Sequence, residues 1–135
     1  DDPRLDVSIG VRKEWTASQL NILSLYLEVS TDRAQIKKIE NQLDKIEKDS
    51  VSYDKSSAAP LREIGKKYDE LNSRIRTLYS QIGDYIGPWT SDQKEQSDYY
   101  RTMKAKLTVE RDQVIKNTLP KINKGLKKDK RLTVN

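Results

Sequence analysis

This chain contains no cysteine and no histidine. The first absence removes disulfides, thiolate metal sites and cysteine nucleophiles together, and it leaves the redox compartment open. The second removes the commonest general base and with it the histidine-dependent triads. Long apolar runs are also missing. The longest, Leu20 to Val29, is interrupted by Asn21, Ser24 and Glu28, well short of the roughly 18 residues a membrane helix needs. The opening Asp1-Asp2-Pro3 has neither a basic n-region nor an apolar h-region, so it predicts no signal peptide and reads equally as a cut inside a longer protein.

What is present is a polar chain of 135 residues, 34% apolar and 35% charged, with a net charge of +5. Its length suits one domain. Those proportions suggest disorder until the spacing is read. Leu61, Ile64, Tyr68, Leu71, Ile75, Leu78, Ile82 and Tyr85 follow one another at alternating steps of 3 and 4. The same ladder runs through Ile22, Leu25, Val29, Asp32, Ile36, Ile39, Leu43 and Ile46, broken only by Asp32. Such spacing lays a narrow apolar seam along one side of a helix, and a seam of this kind is stable only when another helix covers it. The polar remainder is then the exposed surface of long thin helices.

The punctuation predicts three helices. Residues 1–15 read as an extended opening segment, in which Leu5, Val7 and Ile9 alternate with polar residues before Gly10. Thr16-Ala17-Ser18-Gln19 has the form of a capping box, with Trp15 and Leu20 at the positions of a hydrophobic staple. A first helix is predicted from about residue 16 to 48, and the connection from Ser50 to Ala59 offers Ser56 or Ser57 as the next cap. Pro60 suits the first turn of a second helix over about 59–85, which Gly87-Pro88 stops.

Thr90-Ser91-Asp92-Gln93 repeats the capping box after a second tryptophan, Trp89, and opens a third helix over about 90–128. Its seam through Tyr99 or Tyr100, Met103 and Leu107 resumes one step out of phase at Val114 or Ile115, a stutter around Glu110 and Arg111. Pro120 should kink this helix or end its regular part near Thr118, with fraying beyond Gly125 and a flexible basic tail over 129–135. Short links dictate an antiparallel up-down-up three-helix bundle, all-α, with coiled-coil-like helices. Trp15, Tyr85, Ile86 and Trp89 should then meet at one end as an apolar plug.

Candidate sites are few. No catalytic, cofactor-binding or metal-ligating set emerges, because the acids alternate with Lys and Arg as on solvated helix faces. A carboxylate pair for glycoside hydrolysis also needs a cleft that a narrow bundle does not offer. Asp32 is either a buried charge awaiting a partner or half of an ion pair with Arg111. Asp32 lies 16 residues past Thr16 and Arg111 lies 21 past Thr90. The difference is about 7 Å of rise, within a long side chain's reach, and it favours the ion pair, which would fix helix register.

Trp15, Thr16, Gln19, Trp89, Thr90 and Gln93 have structural roles in this reading, whereas Tyr53, Tyr99 and Tyr100 are the aromatics expected at the surface. Lys121, Lys124, Lys127 and Lys128 belong to a basic stretch over 116–131. That stretch is either an arm for nucleic acid or an anionic surface, or a helix end whose cations complement the macrodipole. It contains no aromatic for base stacking, so nucleic acid is the less favoured partner.

The segment Asp2-Pro3-Arg4-Leu5-Asp6-Val7 resembles a junction in large bacterial proteins with BNR/sortilin-like β-propellers, often labelled glycosyl-hydrolase-like, where it leads from an extended strand into a C-terminal helical region. Gly87-Pro88-Trp89-Thr90-Ser91-Asp92-Gln93 and Leu119-Pro120-Lys121-Ile122-Asn123 are similar to that family's closing helix. The resemblance implies the C-terminal helical domain of a larger secreted or periplasmic protein, with no catalytic or cofactor role of its own. Its expected partner is a neighbouring β-domain of the same chain or another protein. A free-standing coiled-coil adaptor that oligomerises through its seams is one alternative, and a basic binder of nucleic acid or an anionic surface through residues 116–131 is the other.

Overall fold

The structure, a computed structural model, describes residues 3–134, with side chains from Ile9 onward. Asp2 of the junction motif lies outside the described residues, as do the side chains of Pro3 to Ser8. The described residues form three α-helices, α1 (Pro3–Lys48), α2 (Lys55–Asp84) and α3 (Ser91–Asn123), followed by a single 3-10 turn at Lys128–Lys130. No strand occurs among the described residues, and none of their helices is long and apolar enough to cross a membrane.

Cross-helix bonds set the topology. Trp15 meets Ile82, Arg33 meets Asp69 and Asp44 meets Arg62, so residue numbers fall on α2 as they rise on α1. That pairing is antiparallel. Asn21 meets Arg101, Asp32 meets Thr108 and Gln35 meets Arg111, so numbers rise together on α1 and α3. These two helices run parallel. The bundle is up-down-up, and α2 is its centre: α1 and α3 each pack along it and approach one another much less. Both ladders are buried, from Ile22 to Ile46 on α1 and from Leu61 to Ile82 on α2, with Asp32 as the polar break.

The first boundary differs from expectation. Helix α1 already runs at Pro3, so residues 3–15 are helical rather than extended. Thr16 and Gln19 therefore lie in the body of a helix, where backbone N–H groups bond to the preceding turn and no capping box can form. The Thr-x-x-Gln pattern is read correctly only when the chain before it is not helical. Trp15 serves the neighbouring helix instead. Its indole Nε1–H donates to the Ile82 carbonyl at 2.7 Å, satisfying one of the acceptors that α2 leaves open in its last turn.

Helix α1 ends in a Schellman turn, with Ser50 N–H on Glu47 O and Val51 N–H on Ile46 O. Ser50 takes the left-handed position, φ 58°, that glycine usually fills. Helix α2 starts a turn earlier than predicted, and its cap is Asp54 rather than Ser56 or Ser57. The Asp54 carboxylate accepts from both serine N–H groups and both hydroxyls. These bonds hold its pKa down at about 2. At Thr90 the predicted box is present in both directions: Gln93 N–H donates to Thr90 Oγ1 and Thr90 N–H to Gln93 Oε1.

Helix α3 continues through Pro120 to Asn123, past the expected break at Thr118. The tail beyond it does not fray. Leu126 and Leu132 are buried in the core, and Lys130 pairs with Asp49. Two side-chain amides clamp the backbone at Leu132 and at Thr133. Asn123 exchanges two bonds with Leu132, and Gln42 exchanges two with Thr133, as a neighbouring strand would. A lysine-rich composition hid this docking, because two leucines and two amides hold the tail while Lys124, Lys127 and Lys128 stay exposed.

Candidate interaction surfaces and polar crossings

Two crossings built on buried charged groups interrupt the apolar interior, and they start from adjacent residues of α1. The first is Asp32. Arg111 Nη1 lies 3.0 Å from Asp32 Oδ1, joining α1 to α3. The two side chains are 14% and 12% exposed, so the pair is mostly removed from water. Arg111 also donates to Gln35 and to Asp112. The other carboxylate oxygen of Asp32 receives the Tyr68 hydroxyl at 3.4 Å from α2, and it lies 3.1 Å from Thr108 Oγ1. All three helices therefore meet at one carboxylate. Burial, and then the nearby Asp32 charge, pushes the Tyr68 hydroxyl up to about 12. The stutter in α3 has a physical counterpart here: between Leu107 and Thr118 no α3 side chain is fully buried, and Arg111 reaches inward in that interval.

The second crossing starts at Arg33 and points to α2. Its Nη1 donates to Glu40 at 3.1 Å, while its Nε and Nη2 form a fork on Asp69 at 2.7 and 3.3 Å. Glu40 is buried although it lies outside the ladder. Gly65 makes the room. A Cβ on Gly65 would lie 2.4 Å from Glu40 Oε1 and 3.0 Å from Arg33 Nη1. Sequence reasoning passed over this cluster. The signal that could have found it is a glycine inside an otherwise unbroken helical ladder, directly after Ile64.

The aromatic expectations divide. Tyr53 is half-buried against the core and donates to Glu47. Tyr100 also packs on the core, whereas Tyr99 is exposed with its ring tilted 55° to that of Tyr100. Lys121, Lys124, Lys127 and Lys128 are exposed, spread along the end of α3 and the docked tail. At the opposite end the expected plug is only half assembled. Trp15 and Trp89 pack against the core, but Tyr85 is 84% exposed and Ile86 53% exposed. Pro88 and Trp89 line a shallow apolar hollow with Ala17, Ser18 and Asn21.

The outer side of α1, turned away from both other helices, carries exposed Ile9, Leu20 and Leu27. No group of three or more acidic residues that could hold a metal ion occurs among the described residues. No family model, no curated protein and no solved structure matches this chain.

Proposed function

We propose that this chain is a non-catalytic structural and interaction module, the C-terminal helical domain of a larger secreted or periplasmic protein, which buttresses a neighbouring β-domain. The observation that carries the reading is the half-built plug. Tyr85 and Ile86 are exposed at one end of the bundle, just before Pro88 and Trp89 in the chain, which line an open hollow. Aromatic and branched side chains lose free energy in water and gain it when a second surface covers them. The resemblance of the junction motif to BNR/sortilin-like proteins supplies the occupant, a β-domain preceding α1. The mechanism is packing: the seam residues are consumed inside the bundle, and the end and outer faces remain for docking.

A nitroxide label tests this reading. These 135 residues contain no cysteine, so Tyr85→Cys gives a single attachment point in them, and any cysteine elsewhere in the whole polypeptide is replaced by serine. The label is compared in the 135-residue chain and in the whole polypeptide its gene encodes. Immobilisation in the whole polypeptide alone is the expected result. Equal mobility in both, or a gene without a β-domain before α1, overturns the reading.

A further inference from the structure

We propose that the cleft between the C-terminal ends of α1 and α3 binds an extended peptide strand of a partner protein, and that the chain's own tail closes it as a tethered competitor. The cleft lies at the end of the bundle away from Tyr85, so it goes beyond the docking surface proposed above. Direct polar ties from α1 to α3 stop at Gln35 and Arg111 among the described residues. Beyond that point the tail runs between Gln42 of α1 and Asn123 of α3. Asn123 Oδ1 accepts from Leu132 N–H at 2.7 Å, and its Nδ2 donates to Leu132 O at 3.0 Å. Gln42 makes the same pair of bonds to Thr133, both at 2.8 Å. Consecutive residues of an extended chain turn their N–H and C=O groups to opposite edges, so α3 holds one edge and α1 the other.

All four bonds go to main-chain atoms, which every peptide carries. One side chain is read: Leu132 enters the core at 3% exposure, whereas Val134 stays 44% exposed. Paired main-chain bonds with a pocket for one side chain are how a sheet edge takes up an extended peptide. Two amides on two helices do the same here. The tail fills the cleft incompletely. A hollow of about 150 Å³ opens between it and α1, lined by Gln42, Lys45, Ile46 and Asp49 on one side and residues 129–131 on the other. Charge selects little, because this wall presents both Asp49, which pairs with Lys130 at 3.4 Å, and Lys45.

The tether decides which occupant can win. Leu126 stays on α3 through its N–H on Asn123 O, so residues 127–134 are the part that leaves. A short flexible tether gives such a segment an effective concentration in the millimolar range. The tail of a second copy makes the same contacts without that advantage. A partner strand that offers a leucine for the same pocket and also fills the hollow gains contacts the tail does not make, and these offset the tether.

Fluorescence anisotropy of a labelled peptide with the sequence of residues 127–135 tests the cleft on the full 135-residue chain. Leu132→Asp in the chain expels its own tail, and that variant should bind the peptide saturably, about tenfold tighter than the unsubstituted chain does. Thr133→Pro in the peptide removes the N–H that Gln42 receives and should weaken binding about tenfold. Gln42→Leu in the Leu132→Asp chain should weaken it as much, and the two changes together little more than either alone. A scrambled peptide of the same composition should not bind. Should circular dichroism show that Leu132→Asp costs helicity, Leu132→Ala replaces it in the same titration. Absence of saturable binding overturns the proposal, as does equal binding of the scrambled peptide or additive losses from Thr133→Pro and Gln42→Leu. A dimer of the unsubstituted chain that Gln42→Leu abolishes would replace the partner strand by the tail of a second copy.

Discussion

Asp32 and Arg33 are neighbours in the chain with opposite fates. Asp32 crosses to α3 at a site where the ladder of α1 is visibly broken, and its partner sits where the seam of α3 changes phase. Arg33 crosses to α2, and the space it uses exists because Gly65 has no side chain. A polar residue that replaces an apolar one announces itself in the periodicity. A cluster built from residues outside the ladder, in a hollow made by a missing Cβ on another helix, does not. The first crossing ties three helices and the second only two, so they should respond differently to substitution.

The largest effect is expected at Asp32. Asp32→Leu and Arg111→Leu should each cost about 2–3 kcal/mol in chemical denaturation, because each leaves a mostly buried charge without its main partner. The double substitution should recover most of that loss, since two apolar side chains can fill the same volume. Additive losses in the cycle would show that the pair is not coupled. Loss of a single folded or oligomeric state in the double variant would show that the crossing fixes helix register.

Gly65→Ala should come next, and its sign sharpens the contrast. Helix propensity alone predicts a gain of about 1 kcal/mol. The new Cβ displaces the Glu40 head from Arg33, and losing that charged bond in a buried setting outweighs the gain, for a net loss of about 1–2 kcal/mol. In a Glu40→Ala background the closest obstruction is gone and the Arg33 head, no longer held by Glu40, can swing aside, so the same Gly65→Ala should stabilise. Equal effects in both backgrounds would detach the glycine from the ion pair.

The smallest effect at ordinary pH comes from Tyr68, which belongs to the first crossing only. Its folded pKa, about 12, lies above the ordinary value of 10, so its contribution is complete below pH 10 and is lost as pH rises through about 12. Alkaline titration followed by phenolate absorbance and circular dichroism should show this phenol ionising together with unfolding. Tyr68→Phe should remove that component. Early ionisation of every tyrosine in a still-folded chain would contradict it.

Much of the architecture was legible because periodicity reports which face of a helix is covered. The ladders of α1 and α2, the box at Thr90 and the stop at Gly87-Pro88 follow from spacing and capping chemistry, and the break at Asp32 and the phase change beside Arg111 marked the two partners of the first crossing, although the count from Thr16 began at a cap that does not form. The opening of α1 was not legible. An exposed helix needs no apolar pattern, and Thr16-x-x-Gln19 mimics a start within it. The tail was misread for a related reason. Its composition is that of a solvated arm, yet Leu126 and Leu132 find the core and the amides of Asn123 and Gln42 hold the strand-like backbone against it.

The amino-acid sequence thus determined by itself that this chain forms long helices that must cover one another, since an apolar seam has no stable alternative in water. It also determined where a charge had to be answered from across the bundle. Tertiary structure decided what the seams leave over. It turned Trp15 from a staple into a cap for α2, docked a lysine-rich tail through two leucines, and opened a space at Gly65 for an ion pair. It also left Tyr85, Ile86 and the outer face of α1 exposed. These outcomes depend on distances between residues far apart in the chain, and local pattern carries no information about them until the helices are packed.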